Sequence, residues 1–227
     1  MTASRAELLR VPIDGGELAA DLQLPEHARG IVIFAHGSGS SRRSPRNLHV
    51  AARLHAAGFG TLLFDLLTLD EQVDDERTRR WRFAIPLLAE RLGAVTRWLA
   101  AQAELPGWRG YFGASTGAAA ALVAAAAEPN LVAAVVSRGG RPDLAGAALA
   151  EVRAPTLLIV GGDDTEVLEL NETALQQLNC PKQLTAVPGA THLFEEPGTL
   201  DAVCDHAAEW FDRHCRTPRV RPRNMAL

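Results

Sequence analysis

In this chain of 227 residues, Gly113-Ala114-Ser115-Thr116-Gly117 is the segment whose residue types and spacing point most directly to chemistry. A short strand candidate, residues 109–112, leads into it, and an alanine-rich helical pattern, residues 116–127, leads out. A Gly-x-Ser-x-Gly run between strand and helix is the pattern of a nucleophile elbow, which holds a serine hydroxyl exposed on a strained turn. The glycines follow from sterics, because a Cβ at either flank would meet the neighbouring strand or helix. The competing interpretation is a glycine-rich structural turn.

A serine hydroxyl attacks a carbonyl only when a base takes its proton. Of the seven histidines, His49 and His55 fall in one helical pattern and His206 and His214 in the last one. His27 lies in a turn before a strand, and His36 ends that strand. His192 alone lies in a loop between the last strand and the last helix, at the carboxyl edge where the serine would also sit. It is the expected general base, the alternative being a loop histidine with ordinary partners. The base needs a carboxylate to set its tautomer and stabilise the imidazolium. Asp163 and Asp164 both follow the strand candidate 156–160 directly.

An oxyanion formed on attack needs N–H donors. The Thr116 amide, at the positive end of the helix, is one expected donor. The loop His36-Gly37-Ser38-Gly39-Ser40 is expected to supply the other through the Ser38 amide, with Gly37 on the substrate side. This loop lacks the G-x-G-x-x-G spacing, and Asp65 is the one acid at the end of the next strand, so dinucleotide binding is disfavoured. Arg138 follows the strand candidate 131–136 and belongs on the same rim, placed to clamp a substrate carboxylate. Arg42, Arg43 and Arg46 add positive potential in the preceding loop. For all four arginines the alternative is a surface salt bridge. Trp81 and Phe194 are candidate walls of an acyl pocket, or plain core.

These side chains need a scaffold that brings them to one edge. Residues 18, 20, 22 and 24 alternate apolar with polar, as in a strand near a sheet edge. Residues 31–35, 61–64, 131–136 and 156–160 are continuous apolar runs that suit strands covered on both faces, and 109–112 and 183–187 are weaker candidates. Between them lie amphipathic stretches at 48–57, 83–102, 116–127, 143–152, 167–178 and 199–214. The alternation predicts right-handed βαβ crossovers and one α/β domain over residues 1–215, with a mostly parallel sheet and helices on both faces. Eighteen residues separate Val136 from Pro155, which leaves no room for a cap domain there. Residues 70–82 carry five acids and then four arginines, with Asp75/Arg79 and Glu76/Arg80 spaced i,i+4; a solvated helical turn and a mobile flap are the two interpretations. The tail, residues 216–227, with four arginines and two prolines, is expected to be disordered.

Composition limits the alternatives. A net charge of −4 argues against nucleic acid as the main partner. Lys182 is the single lysine, which disposes of a phosphate-binding loop, of a Ser-x-x-Lys site and of a Schiff base. Three cysteines, Cys180, Cys204 and Cys215, without a C-x-x-C pair predict neither a disulfide framework nor a structural zinc site. The longest apolar run, residues 118–127, is far short of the roughly 20 residues of a membrane span, and residues 1–11 do not read as a signal peptide. The expectation is a soluble, cytoplasmic protein without metal or organic cofactor and without a membrane partner.

The elbow, the His36-Gly37 loop, Asp164 and His192 together resemble an α/β-hydrolase over residues from about 10 to 215. The order Ser, Asp, His is that of its triad, and the register Gly161-x-x-Asp164-x-x-Val167, commoner in such enzymes, favours Asp164 over Asp163. Asp163 is then a turn-former bonding the backbone. More narrowly, Val136-Ser137-Arg138-Gly139-Gly140-Arg141-Pro142-Asp143 and Pro188-Gly189-Ala190-Thr191-His192-Leu193-Phe194 are similar to the small, cap-less dienelactone-hydrolase-related proteins. The namesake enzymes use a cysteine nucleophile, whereas this elbow carries Ser115. The resemblance therefore implies a serine hydrolase of short carboxylic esters, anionic ones included, rather than a dienelactone hydrolase in the strict sense.

Overall fold

The computed structural model describes residues 5–215; the tail expected to be disordered lies outside the described residues. Eight strands form one sheet: β1 (Arg5–Ile13), β2 (Gly16–Leu24), β3 (Ile31–Ala35), β4 (Gly60–Phe64), β5 (Arg109–Ala114), β6 (Ala134–Arg138), β7 (Thr156–Gly161) and β8 (Lys182–Val187). Their spatial order is β1-β2-β4-β3-β5-β6-β7-β8. The β1–β2 and β2–β4 pairs are antiparallel, and all remaining pairs are parallel. The connections between strands carry α1 (Pro45–Ala56), α2 (Leu69–Thr78), α3 (Ile85–Ala100), α4 (Thr116–Ala127) and α5 (Thr165–Gln177), and α6 (Thr199–His214) follows β8. No cap domain interrupts them.

The strands β3 to β7 are buried residue by residue, as the continuous apolar runs predict for a parallel sheet covered on both faces. One core, under α3 and α4, contains Ile31, Ile33, Leu62 and Tyr111. The other, under α1 and α6, contains Val32, Phe34, Phe112 and Phe211. Helix α4 is apolar all round, because it is wedged between the sheet, α3 and the segment after β6.

Four elements differ from the expectations. Strand β1 lies at the sheet edge with Leu8 in solvent, so its pattern carries little apolar signal. Strand β6 begins at Ala134, because the Leu131 and Val132 amides close a turn onto the Glu128 carbonyl first, and it runs on to Arg138. Residues Pro142–Glu151 form a 3-10 helix broken at Gly146 (φ 53°) rather than an amphipathic α-helix. Residues 70–82 form α2, started by a capping box between Thr68 and Glu71, and then a return. Arg79 sits in the left-handed region (φ 56°) and ends the helix, so neither expected i,i+4 pair forms. Instead Asp75 is buried and accepts from Arg82 Nε at 2.6 Å and from the Trp81 and Arg82 amides. Burial pushes the Asp75 carboxyl up, but those bonds prevail and hold it below the usual range.

Candidate active site

At the end of β5 the chain turns sharply into α4, and Ser115 occupies the turn with φ 50° and ψ −124°, a costly conformation for a residue with a side chain. The flanking glycines make the turn possible. A Cβ on Gly113 would stand 2.5 Å from Ala118 Cα, and one on Gly117 would stand 2.2 Å from the Ala35 carbonyl oxygen. The Ser115 amide donates to the Arg138 carbonyl at 3.2 Å, and the Ser115 carbonyl accepts from the amides of Ala118 and Arg141. The hydroxyl is thereby presented from a backbone tied to β6.

His192 arrives from the loop after β8. The Asp163 amide donates to the Ala190 carbonyl and the Gly162 amide to that of Val187, so the loops after β7 and β8 are cross-linked. That places His192 Nδ1 2.7 Å from Asp164 Oδ2. A carboxylate accepting at Nδ1 requires the proton there and leaves the Nε2 lone pair free. Asp164 stands at the start of α5 without capping it, so its carboxylate is available. The structure thus distinguishes the two neighbouring aspartates: Asp163 is exposed, and its side chain makes no backbone bond, contrary to the turn-former expectation.

Ser115 and His192 line one cavity of about 200 Å³ together with Gly37, Ser38, Arg138 and Gly139. Among the described residues the Ser115 hydroxyl has no hydrogen bond, to His192 or otherwise. A second cavity, of about 400 Å³, adjoins the first through Gly37, Ser38, Ser40 and Ser44 and reaches Thr116. Leu66, Leu67 and Leu88 supply its apolar wall, and Asp75, Glu76 and Arg82 bring α2 and the return after it to its edge. The residues expected to wall it do not. Trp81 donates to Asp74 outside both cavities, and Phe194 is buried in the core under α6.

The first residue of α4, Thr116, has no carbonyl within its helix for its amide to bond. On the other side, the imidazole of His36 accepts from the Leu66 amide at 3.1 Å through Nε2 and meets the Gly37 carbonyl at 3.0 Å through Nδ1. In a trans peptide the Ser38 N–H points opposite to that carbonyl, away from the ring. Burial lowers the His36 pKa and keeps the ring neutral. Sequence reasoning passed over His36 as a strand end; its position directly before Gly37 was the available signal.

The arginines divide. Arg42 is neutralised: its amide and side chain bind Asp65, and its Nε pairs with Asp21. Asp65 is therefore occupied in tying down the loop rather than free for a ribose. Arg43 is exposed at the rim of the larger cavity, and Arg46 pairs with Glu195 at 3.0 Å. Arg138 is 8% exposed and lines the smaller cavity. A cluster of His49, Asp201 and Cys204 lies outside the site; burial pushes the Cys204 thiol up to about 12, which makes it a weak metal ligand.

A serine on a strained strand-to-helix turn, at the carboxyl edge of a mostly parallel sheet flanked by helices, defines the α/β-hydrolase class. The chain belongs to the dienelactone hydrolase family, whose profile matches residues 18–214. A solved dienelactone hydrolase from Anabaena variabilis is 55% identical, with a TM-score of 0.91 over 94% of this chain and 99% of that one. Est1E from Butyrivibrio proteoclasticus shares the fold at 17% identity and a TM-score of 0.76, over 91% of this chain and 98% of its own. A Mycobacterium tuberculosis protein that carries the provisional name of a phosphoribosyl transferase is 59% identical over 217 residues. Those residues are 94% of this chain, which spans 48% of that relative's length. Among the described residues no helix is long and apolar enough to cross a membrane.

Proposed function

We propose that the chain hydrolyses small carboxylic esters through an acyl-enzyme on Ser115. His192 takes the serine proton and returns it to the leaving alcohol, Asp164 holds the imidazolium, and the Ser38 and Thr116 amides bind the oxyanion. Water then releases the acid by the same path. The observation that carries this reading is the opening of a strained Ser115 and of His192, paired to Asp164 at 2.7 Å, into one cavity. The missing Ser115–His192 bond is compatible with it, since catalytic hydrogen bonds commonly tighten only when substrate is bound. The cap-less site favours short acyl chains.

The test is covalent labelling by a fluorophosphonate probe, with a panel of chromogenic esters of increasing acyl length. Ser115 is expected to label, Ser115→Ala to lose both label and turnover, and activity to fall beyond octanoyl esters. A folded wild type that neither labels nor turns over any ester would show a non-catalytic binding protein instead. Faster turnover of thioesters than of matched oxygen esters would move the assignment to a thioesterase. The transferase name of the mycobacterial relative describes a protein about twice as long, and no phosphoribosyl transfer is assigned to this chain.

A further inference from the structure

Arg138 ends β6 on the face covered by α6, and it lines the cavity that Ser115 and His192 share. Among the described residues it makes neither an ion pair nor a side-chain hydrogen bond, and its Nη1 is buried without a partner. Two further buried polar atoms of residues lining this cavity are also unpartnered, Arg46 Nε and Asn47 Oδ1. Arg46 adds a second positive charge, and its pairing with Glu195 lies toward solvent. Burial, and then the nearby Arg46, lower Arg138 to about 10, so the group stays charged at neutral pH. A buried charge without a counter-charge is expensive, and proteins usually pair it. Here none of the described residues supplies an anion, whereas the cavity admits one.

The side of the reaction follows from proton transfer. When Ser115 Oγ bonds to the acyl carbon, the ester C–O bond breaks, and the proton His192 took from Ser115 passes to the departing oxygen. The alcohol half must therefore lie on the His192 side, in the smaller cavity. The acyl half is left to the larger one, with its three leucines. Resting on the ester-hydrolase reading above, we infer that Arg138, assisted by Arg46, binds an anionic oxygen group, carboxylate or phosphate, on the alcohol half of the substrate. At about 200 Å³ the cavity takes a compact hydroxy acid or a small phosphorylated alcohol.

Three butyryl esters with one acyl group test this, with glycolate, 2-hydroxyethyl phosphate or uncharged glycolamide as the alcohol. One anionic ester is expected to exceed the neutral one in kcat/KM by roughly 10- to 100-fold, the worth of a charge-assisted hydrogen bond. The carboxylate and phosphate arms show which anion fits. That ratio should collapse in Arg138→Met and in Arg138→Gln. Independently of turnover, glycolate or hydroxyethyl phosphate titrated calorimetrically into Ser115→Ala should bind, and should not bind when Arg138→Met is added. Equal rates for charged and neutral alcohols overturn the inference, as does a preference for the anion on the acyl half, read with monoethyl succinate. Arg138-dependent anion binding without any ester turnover supports the anion site and removes the hydrolase reading, so the two failures are separable.

Discussion

The Leu66 amide donates to Nε2 of the buried His36, and this one bond decides which proton the ring carries. With Nε2 an acceptor, Nδ1 holds the hydrogen and donates it to the Gly37 carbonyl, which also accepts from the Ser40 amide. The Gly37–Ser38 peptide is thus clamped on its carbonyl side, and the Ser38 N–H is turned the other way. Only the neutral ring can do this, since protonation would set an Nε2–H against the Leu66 N–H, although Nδ1–H would still face the Gly37 carbonyl.

Replacing His36 by Leu is therefore expected to lower kcat roughly 10-fold or more while leaving KM within a factor of about 3, because a misaligned oxyanion donor acts mainly in the transition state. His36→Asn, which can still donate to Gly37, should recover part of the loss. Equal losses of kcat in the two variants would assign the ring a packing role only.

The same ring gives a pH dependence of stability. Its folded pKa is lowered from an unfolded value of about 6.5, so the unfolded chain binds the proton more readily. Stability should be complete above about pH 6.5 and fall by up to about 1.4 kcal/mol per pH unit below it. Urea midpoints at about pH 7.5 and about pH 5.5 should show this slope in wild type and a shallower one in His36→Asn.

Asp163 and Asp164 are adjacent, yet their substitutions should differ widely. Asp164→Asn is expected to reduce kcat by roughly 10³- to 10⁴-fold through loss of the His192 tautomer, and Asp163→Asn by less than about 3-fold. Comparable losses from the two would mean that the Nδ1 contact is not the functional one.

Arg138→Met should make the protein more stable and less selective. The lowering of Arg138 to about 10 corresponds to a cost on the order of 3 kcal/mol for keeping the charge buried. After the loss of some packing, a gain of about 1–3 kcal/mol in urea unfolding is expected. A structural arginine would instead destabilise on removal.

Gly117→Ala is expected to destabilise by about 3 kcal/mol or to prevent folding, since the new Cβ meets the Ala35 carbonyl at 2.2 Å and neither strand nor helix can retreat. Gly107→Ala, where a Cβ meets nothing within 4 Å, should change the melting temperature little.

What could be read along the chain was whatever neighbours in sequence decide. The helix from Thr116 and the apolar runs of the inner strands depend on contacts within one turn or one strand, and the elbow glycines stand as a contiguous run even though Gly117 answers to Ala35 on β3; all lie close to where their patterns place them. Ser115, His192 and the aspartate pair were legible because each sits just beyond a strand end, and parallel strands bring those ends to one edge. Three things required the tertiary structure. The partner of His192 was settled by two loops bonding to each other through Asp163 and Ala190, residues far apart in the chain. The role of Asp75 was settled by a chain reversal at Arg79 that brings Arg82 back to it. The isolation of Arg138 depends on α6 covering its strand while the α6 acids Asp201 and Asp205 pair with His49 and Arg53 instead, a property of the space around a residue that no spacing in sequence encodes.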